Sequence, residues 1–354
     1  MASIRLDGVS KSYGGNRALR GLDLDIAEGE FFVLLGRTGA GKTTTLRIIA
    51  GLEHPDAGKV IINDQNVVDR NAAERDVTLV LQQYSLYPRL TVRGNLEFPL
   101  RSKIRKMSED EIAHRVQKAA QTLQITQLLD RKVEKLSGGE MQRVSIGRAI
   151  VREPQVFLMD EPLSALDAKL RESLRVELKA LHNNLGATFL YVTHDQIEAM
   201  SMGDKIGVLN RGRLVQVGTP AEVYGMPRNT FVARSVGSPP MNLLNGIVEG
   251  DNARFGEAEL PIRTGLALSG RPMTLGIRPE DVRLESGAPL SARVFDVEDH
   301  GVIKILTLDV GESRLHVTVS AKTKVELDET VQLGWNPDKV MFFDRESGKN
   351  LAYG

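Results

Sequence analysis

A glycine-rich loop is the stretch whose residue types and spacing could most readily bind phosphate. The loop "GRTGAGKTT" (36–44) follows the apolar run "FFVLL" and precedes a helical pattern. In that setting the backbone N–H groups of the loop and of the helix start surround phosphate oxygens, Lys42 reaches the β and γ phosphates, and Thr43 can bind Mg²⁺. The predicted phosphate-binding residues are Gly36, Arg37, Thr38, Gly39, Ala40, Gly41, Lys42, Thr43 and Thr44.

An acidic pair at the end of a second apolar run would complete a nucleotide-hydrolysing site. In "VFLMDEP" (156–162), Asp160 stands at the exit of a predicted strand, where it can hold Mg²⁺, and Glu161 can polarise the attacking water. Alone, the pair is more typical of an acidic turn at a strand end. Its combination with the Lys42 loop favours nucleotide hydrolysis.

Alternating strand and helix patterns must position these residues, which predicts an α/β sheet. Short apolar runs bounded by turn residues indicate buried strands at "KVIIN", "VTLVL", "VFLMD", "TFLYVT" and "KIGVLN". The clearest helix is "SEDEIAHRVQKAAQTL", where Ser108 and Glu111 form a predicted capping box. One face of this helix is apolar, at Ile112, Val116, Ala119 and Leu123.

The pattern of alternating strands and helices stops near "VGSPPMNLLNG" (236–246), where consecutive prolines and the following glycines interrupt the hydrophobic periodicity. Beyond it, "ARVFDVED", "IKILTLDV", "RLHVTVS" and "KVMFFD" alternate as half-buried strands do. We therefore predict an ATPase domain over 1–235 and a small antiparallel β-barrel over 236–354. The barrel carries 13 Lys and Arg against 18 Asp and Glu, a net charge of −5, which disfavours binding to single-stranded nucleic acid.

The composition excludes several other classes of protein. Lys plus Arg equal Asp plus Glu at 46 each, so a protein built to neutralise nucleic-acid phosphates is not expected. The chain has no cysteine and therefore no disulfide or thiolate chemistry. The apolar runs are shorter than the roughly 20 residues of a membrane-spanning helix, and the first residues lack the pattern of a secretory signal. We expect the chain to stay inside the cell.

The segments "LSGGEMQR" and "LMDEPLSALDAKLR" closely resemble the nucleotide-binding subunits of ABC transporters. The resemblance covers almost the whole chain and implies a P-loop NTPase cassette of mixed sheet, with a helical subdomain at about 88–155. It implies ATP and Mg²⁺ as cofactors, and Lys42, Gln82, Glu161 and His194 as catalytic residues. The implied Mg²⁺ ligands are Thr43, Gln82 and Asp160.

The resemblance also gives roles to residues outside the phosphate loop. Tyr13 would stack on adenine, and the signature residues Ser137, Gly138 and Gly139 would bind nucleotide. Asp167 would link two sites, and His194 would contact the γ phosphate. Each also has a simpler structural interpretation: Ser137 and Asp167 are typical helix N-caps, and Gln82 is a polar residue at a strand end. Glu140 stands where the family often has glutamine.

The C-terminal segments "VGTPAEVYGMPRNTFVARSVGSPPMNLLNG" and "LGIRPEDVRL" are similar to those of carbohydrate-importer ATPases, whose last domain is an oligonucleotide-fold-like regulatory barrel. The likeness implies import of a sugar or sugar-like solute. Glycerol phosphate, polyols, polyamines and iron are the alternative solutes. A soluble ABC ATPase acting on nucleic acid, a non-hydrolysing scaffold and an exporter subunit are the rival functions.

The family mechanism implies a set of partners. Two copies of the chain would sandwich ATP between the Lys42 loop of one and the signature segment of the other. Two membrane-spanning permease subunits would dock near "YSLYPRLTV" (84–92), and a solute-binding protein would join the complex. The expected location is the cytoplasmic face of the inner membrane, without contact to nucleic acid.

Overall fold

The chain folds into two compact units, Met1–Pro220 and Ala221–Gly354. A computed structural model describes residues 2–102, 106–255, 258–262, 270–311 and 313–353. No helix in these ranges is both long enough and apolar enough to span a membrane.

Strands and helices alternate through the first unit, as predicted. Its strands are β1 Ile4–Tyr13, β2 Asn16–Ile26, β3 Phe31–Leu35, β4 Ala57–Ile62, β5 Gln65–Asn66, β6 Val77–Val80, β7 Val156–Asp160, β8 Thr188–Thr193, β9 Lys205–Asn210 and β10 Arg213–Gly218. Its α-helices are α1 Lys42–Ala50, α2 Val92–Glu97, α3 Glu109–Thr122, α4 Gly138–Ile150, α5 Ala168–Leu185 and α6 Gln196–Met202. Short 3₁₀ helices cover Ala72–Glu74, Thr126–Leu128 and Val133–Lys135.

Two sheets share the core of the first unit. The larger has the order β10-β9-β3-β8-β7-β6, in which β9, β3, β8, β7 and β6 are parallel and β10 is an antiparallel edge. The smaller, β2-β1-β4-β5, is antiparallel. All five residues of β3, β7 and the six of β8 are buried, which explains their continuous apolar pattern. The carboxyl ends of these three strands therefore lie side by side.

Helices α2, α3 and α4 lie in the predicted helical subdomain. The predicted apolar face of α3 is buried, and Ser108 accepts a hydrogen bond from the N–H of Glu111. Half of the predicted capping box is thus present, while the Glu111 carboxylate forms an ion pair with Arg115 at 3.2 Å. A β-carbon on Gly147 of α4 would lie 2.7 Å from Leu96, so this glycine allows α2 and α4 to pack closely.

The second unit is largely antiparallel β structure, in agreement with the predicted barrel. Within its described residues the sheets have the orders β13-β12-β11-β14-β20 and β15-β19-β16-β17-β18 around a shared core. Its elements are α7 Pro220–Gly225, α8 Thr230–Ser235, β11 Asn242–Glu249, β12 Asn252–Phe255, β13 Ala258–Pro261, β14 Pro272–Ile277, β15 Val282–Leu284, β16 Leu290–Asp299, β17 Ile303–Val310, β18 Ser313–Ser320, β19 Thr330–Trp335 and β20 Met341–Asp344. Further 3₁₀ helices cover Pro279–Asp281, Pro337–Lys339 and Leu351–Tyr353.

One buried arginine explains why the division of the chain lies N-terminal to the predicted boundary at 236. Arg278 follows β14 and is 3% exposed. Its guanidinium donates hydrogen bonds to the carbonyls of Tyr224 (2.6 Å), Ala233 (3.1 Å) and Val236 (2.7 Å). The segment that carries α7 and α8 is therefore fixed to the barrel.

Candidate active site

The phosphate loop joins the central strand β3 to helix α1. It begins where the Gly36 N–H donates to the carbonyl of Thr193 on the neighbouring strand (3.2 Å). Gly41 precedes α1 with a φ of 111°, and a β-carbon there would lie 2.7 Å from the Ala18 carbonyl oxygen. A side chain at residue 41 would be strained by the backbone and would collide with β2. The residues between β3 and α1 therefore form the predicted phosphate loop.

Lys42 lies inside this loop and is only 5% exposed. Its Nζ donates to the carbonyls of Gly36 (2.8 Å) and Arg37 (3.2 Å) and lies 3.1 Å from Oε1 of Glu161. The ammonium is thus held by two acceptors of its own loop and by Glu161. It is placed to exchange these partners for phosphate oxygens.

Glu161 contacts both Lys42 and His194. Its Oε2 is 2.7 Å from Nδ1 of His194, whose side chain is 53% exposed, while Oε1 faces Lys42. Glu161 follows β7 with a φ of 46°, and its N–H donates to the Val192 carbonyl of the adjacent strand β8 (2.9 Å). A non-glycine residue in this left-handed region carries backbone strain of the kind found at functional sites.

Thr43 and Asp160 form an oxygen-rich position beside the phosphate loop. The Thr43 hydroxyl donates to Oδ1 of Asp160 at 3.3 Å, and burial raises the pKa of that carboxyl. The described residues contain no group of three or more His, Cys, Asp and Glu side chains arranged to hold a metal ion. The pair fits Mg²⁺, which prefers hard oxygen ligands and is often bound through one or two protein groups together with substrate phosphates and water.

Gln82 approaches the acidic pair through an intermediate that sequence reasoning missed. Its Nε2 donates to the hydroxyl of Ser164 (3.2 Å), which in turn donates to the backbone carbonyl of Glu161 (2.9 Å). Ser164 lies in the quoted segment "LSALD", but no residue pattern distinguishes it from an ordinary turn serine. The structure therefore connects Gln82 to Glu161 through Ser164.

Tyr13 ends strand β1 in the hairpin that also brings β2 against the phosphate loop. Its side chain is 44% exposed, and Nζ of Lys11 lies 5.4 Å from the ring centroid. The opposing hairpin residue is Asn16. An exposed ring in this position is available for stacking on a base.

The signature residues lie at the start of α4. Ser137 is the N-cap: its Oγ accepts from the N–H of Glu140 (3.4 Å), and the Glu140 carboxylate accepts from the N–H (2.8 Å) and the hydroxyl (3.0 Å) of Ser137. The hydrogen bond from the Ser137 N–H lowers the pKa of Glu140. The predicted structural role of Ser137 is confirmed.

No hydrogen bond or ion pair within the described ranges joins Ser137, Gly138 or Gly139 to the loop 36–44. A β-carbon on Gly138 would instead lie 3.3 Å from the Tyr84 hydroxyl and 3.6 Å from Leu166. The signature glycine thus neighbours the segment after Gln82 and the loop before Asp167. The described residues thus include both halves of the predicted nucleotide site, with no hydrogen bond or ion pair between them.

A cleft of about 380 Å³ lies between α4 and the segment that follows Gln82. Its walls include Leu81, Tyr84, Ser85, Ser145, Arg148 and Arg152. The nearby Leu52 is 60% exposed and also lines the cleft. The combination of apolar and cationic groups is suited to a protein segment with apolar and acidic side chains.

Comparison with protein families divides the chain in the same order as the sequence analysis. A profile described as ABC transporter matches residues 19–164. A MalK OB fold domain matches residues 237–282, and a TOBE domain matches residues 275–343. The predicted fold class, a nucleotide-binding cassette followed by an oligonucleotide-fold-like domain, is confirmed.

Individual relatives match over nearly the full length. The trehalose/maltose import ATP-binding protein MalK of Thermococcus litoralis is 47% identical over 99% of this chain and 100% of its own. The sn-glycerol-3-phosphate import ATP-binding protein UgpC of Escherichia coli K12 is 43% identical over 99% and 100%, respectively. Among solved structures, the dimeric MJ0796, a bacterial ABC transporter cassette, is 34% identical with a TM-score of 0.55, covering 61% of this chain and 98% of that one.

Proposed function

The chain belongs to the family of ABC transporter ATP-binding subunits, and on that premise we propose that it hydrolyses ATP to energise import of a sugar or sugar-like solute across the inner membrane. The observation that carries the proposal is the full-length similarity to a trehalose/maltose import subunit, extending through the C-terminal domain. Glycerol phosphate is the second candidate solute, because relatives at 43–44% identity are named for sn-glycerol-3-phosphate import.

In the proposed reaction, Glu161 orients and polarises the water that attacks the γ phosphate. His194, whose Nδ1 lies 2.7 Å from Glu161, stabilises the transferring phosphoryl group in this proposal. Thr43, Asp160 and Gln82 would hold Mg²⁺, which would neutralise phosphate charge when bound. Tyr13 stacks on the adenine, and the N–H groups of loop 36–44 surround the phosphates.

Lys42 connects binding of the nucleotide to the contacts of Glu161. The ammonium lies 3.1 Å from the Glu161 carboxylate, so the two side chains form an ion pair. When ATP enters, the phosphates compete for the same ammonium. Glu161 then loses this partner, and its carboxylate is free to accept a hydrogen bond from the attacking water.

The nucleotide site is completed by a second copy of the chain in a head-to-tail dimer, in which Ser137, Gly138 and Gly139 of one copy face the phosphate loop of the other. This arrangement accounts for a signature segment that has no hydrogen bond or ion pair with loop 36–44 of its own described residues. Mixing two inactive variants tests it. Lys42→Ala and Ser137→Ala chains together form one intact site in each mixed dimer, so hydrolysis should return to roughly a quarter of normal per chain.

The control for this mixture places both substitutions in one chain and mixes it with an equal amount of wild type. The mixed dimers then have no intact site, so hydrolysis should be roughly a quarter of normal per chain, from wild-type dimers alone, whereas roughly half would remain if each chain formed its own site. The single variants, each assayed alone, fix the baseline. If the mixture of single variants is no more active than that baseline, while each still binds other copies, the shared site is disproved.

The cleft beside Gln82 is the proposed docking site for short helices of two permease subunits at the cytoplasmic face. Leu52→Asp places a charge in this apolar wall and should abolish co-purification with membrane subunits while ATP hydrolysis by the chain alone persists. Val176, 69% exposed on α5, gives a matched control as Val176→Asp. Equal loss of partners in both variants would exclude the cleft.

The transported solute is tested on the intact complex. The complex purified from the cells that express the chain should contain two membrane proteins, and a solute-binding protein should join it on loading. In proteoliposomes, ATP hydrolysis should rise when the binding protein carries a sugar. Stimulation by glycerol 3-phosphate alone would select the second candidate, and stimulation by neither would exclude both.

A further inference from the structure

One arginine side chain bridges two segments, one that begins at the candidate base Glu161 and one that carries His194. Arg171 lies in the first turn of α5, four residues after the N-cap Asp167. Its Nη2 donates to the carbonyl of Leu166 at 3.0 Å, and its Nη1 lies 3.5 Å from Oδ2 of Asp195. Leu166 belongs to the loop that follows Glu161, and Asp195 directly follows His194 in the chain. Arg171 therefore contacts both segments that present the reacting groups.

The segment around His194 is anchored on both sides. Asp195 caps α6, since its Oδ1 accepts from the N–H groups of Ile197 (2.7 Å) and Glu198 (3.4 Å). The N–H of Asp195 donates to the hydroxyl of Thr193 (2.9 Å). His194 lies between these two fixed neighbours, so a shift of Asp195 changes the position of the imidazole.

A buried carboxylate stands behind this segment. Glu198 is 2% exposed and accepts hydrogen bonds from the hydroxyls of Thr193 (2.6 Å) and Tyr191 (2.9 Å). Burial raises the pKa of Glu198, and the charge of Arg171 is one of the influences that oppose the rise. Arg171 thus faces two acids of the same segment, Asp195 in contact and Glu198 at longer range.

The other loop is held at both ends. The Ser164 hydroxyl donates to the Glu161 carbonyl at its start, and Arg171 holds the Leu166 carbonyl near its end. The two routes from Arg171, through Leu166 and through Asp195, therefore meet where Glu161 contacts His194.

We propose that Arg171 is a positioning residue for ATP hydrolysis, which fixes loop 161–167 against segment 193–195 and so holds His194 against Glu161. Helix stability alone does not explain its location, because a cation in the first turn opposes the helix dipole. The proposal rests on the proposed function, in which Glu161 polarises the attacking water. In the part of the chain that the structure describes, Arg171 has no hydrogen bond or ion pair with Glu161 or His194, and it acts through the two loops.

The test is steady-state ATP hydrolysis by the full-length chain carrying Arg171→Ala. A displacement of about 1 Å of reacting groups can lower a rate about 100-fold, so kcat should fall by about 10- to 100-fold. The KM for ATP should change by less than about threefold, because the hydrogen bonds and ion pairs of Arg171 are with Leu166 and Asp195, not with loop 36–44. Arg175→Ala, one turn further along α5, is the matched control and should retain the normal kcat.

A double-mutant cycle with Asp195→Asn separates positioning from loss of stability. Asparagine preserves the cap of α6 but removes the ion pair, so kcat should fall in the single variant. The double variant should be no slower than Arg171→Ala. Arg171→Lys keeps the charge but cannot serve both partners in the same geometry; its kcat should be intermediate, and it replaces the alanine variant if that fails to fold.

Two results would overturn the inference: a kcat for Arg171→Ala within about twofold of normal, or losses in the single variants that multiply in the double variant. Failure of the proposed function has a different signature, since Glu161→Gln would then hydrolyse ATP at the normal rate whatever residue 171 does.

Discussion

Replacing Glu161 by glutamine removes the proposed base while preserving the size of the side chain. The amide oxygen can still accept a hydrogen bond from Lys42 or from His194, which lie 3.1 Å and 2.7 Å from the two carboxylate oxygens. The amide cannot take a proton from water. We therefore expect the variant to bind ATP and to stop hydrolysing it.

The expected loss follows from the role of Glu161. A positioned base contributes about 10²- to 10⁴-fold, equivalent to about 3–5 kcal/mol of activation free energy at 1.36 kcal/mol per factor of ten. The effect on folding should be far smaller, because the acceptor for the buried Lys42 remains. A loss of about 1 kcal/mol would lower the melting temperature by about 2–4 °C.

Three measurements on the full-length chain test whether Glu161→Gln binds ATP without hydrolysing it. Binding of a fluorescent ATP analogue should remain within about threefold of normal, single-turnover hydrolysis should fall by at least about 100-fold, and gel filtration with ATP should show a trapped dimer. Glu172→Gln, an exposed acid on α5, is the control and should behave as wild type. Hydrolysis at the normal rate in Glu161→Gln would refute the assignment of the base.

Three further substitutions have effects that the structure predicts. Glu198→Gln should raise the melting temperature at about pH 8 and lose that advantage towards about pH 4.5, because a carboxyl with a raised pKa favours folding only while it is protonated; a pH-independent difference would contradict this. Gly41→Ala should cost about 3 kcal/mol of unfolding free energy by urea titration, from left-handed strain and collision with Ala18, and a stable variant would show that the loop can rearrange. Glu140→Gln keeps an acceptor for Ser137 but removes a charge from the start of α4, so the KM for ATP should fall a few-fold; an unchanged KM would show that no nucleotide approaches this end.

The phosphate loop and its strand could be predicted because their causes are local. The loop lies between the five buried residues of β3 and the lysine that starts α1, and the glycine at a φ of 111° directly precedes that lysine. These features are close together in the chain, so a short sequence pattern is enough to predict them. The same holds for Ser137, whose cap lies within one helical turn. Such features are visible in the chain without knowledge of the fold.

The contacts that join the site across the sheet could not be predicted from the sequence. Ser164 and Gln82 are 82 residues apart in the chain, and Tyr84 meets Gly138 only after α4 has packed beside β6. None of these four residues forms a recognisable sequence pattern with the residue that it meets in the fold. Glu111 shows the converse. The local pattern predicted a hydrogen bond between its side chain and the backbone at the helix start, but the carboxylate instead forms an ion pair with Arg115, one turn further along α3.

Arg278 fixes to the barrel a segment that the sequence pattern alone assigns to the ATPase domain. A chain ended at residue 235 would lack the guanidinium that binds the carbonyls of Tyr224 and Ala233, and it would expose two short helices with no packing partner from the barrel. Exchange of the C-terminal domain between related proteins is therefore best tolerated when the crossover follows Pro220. The barrel and the two helices that precede it, α7 and α8, are then exchanged together as one structural unit.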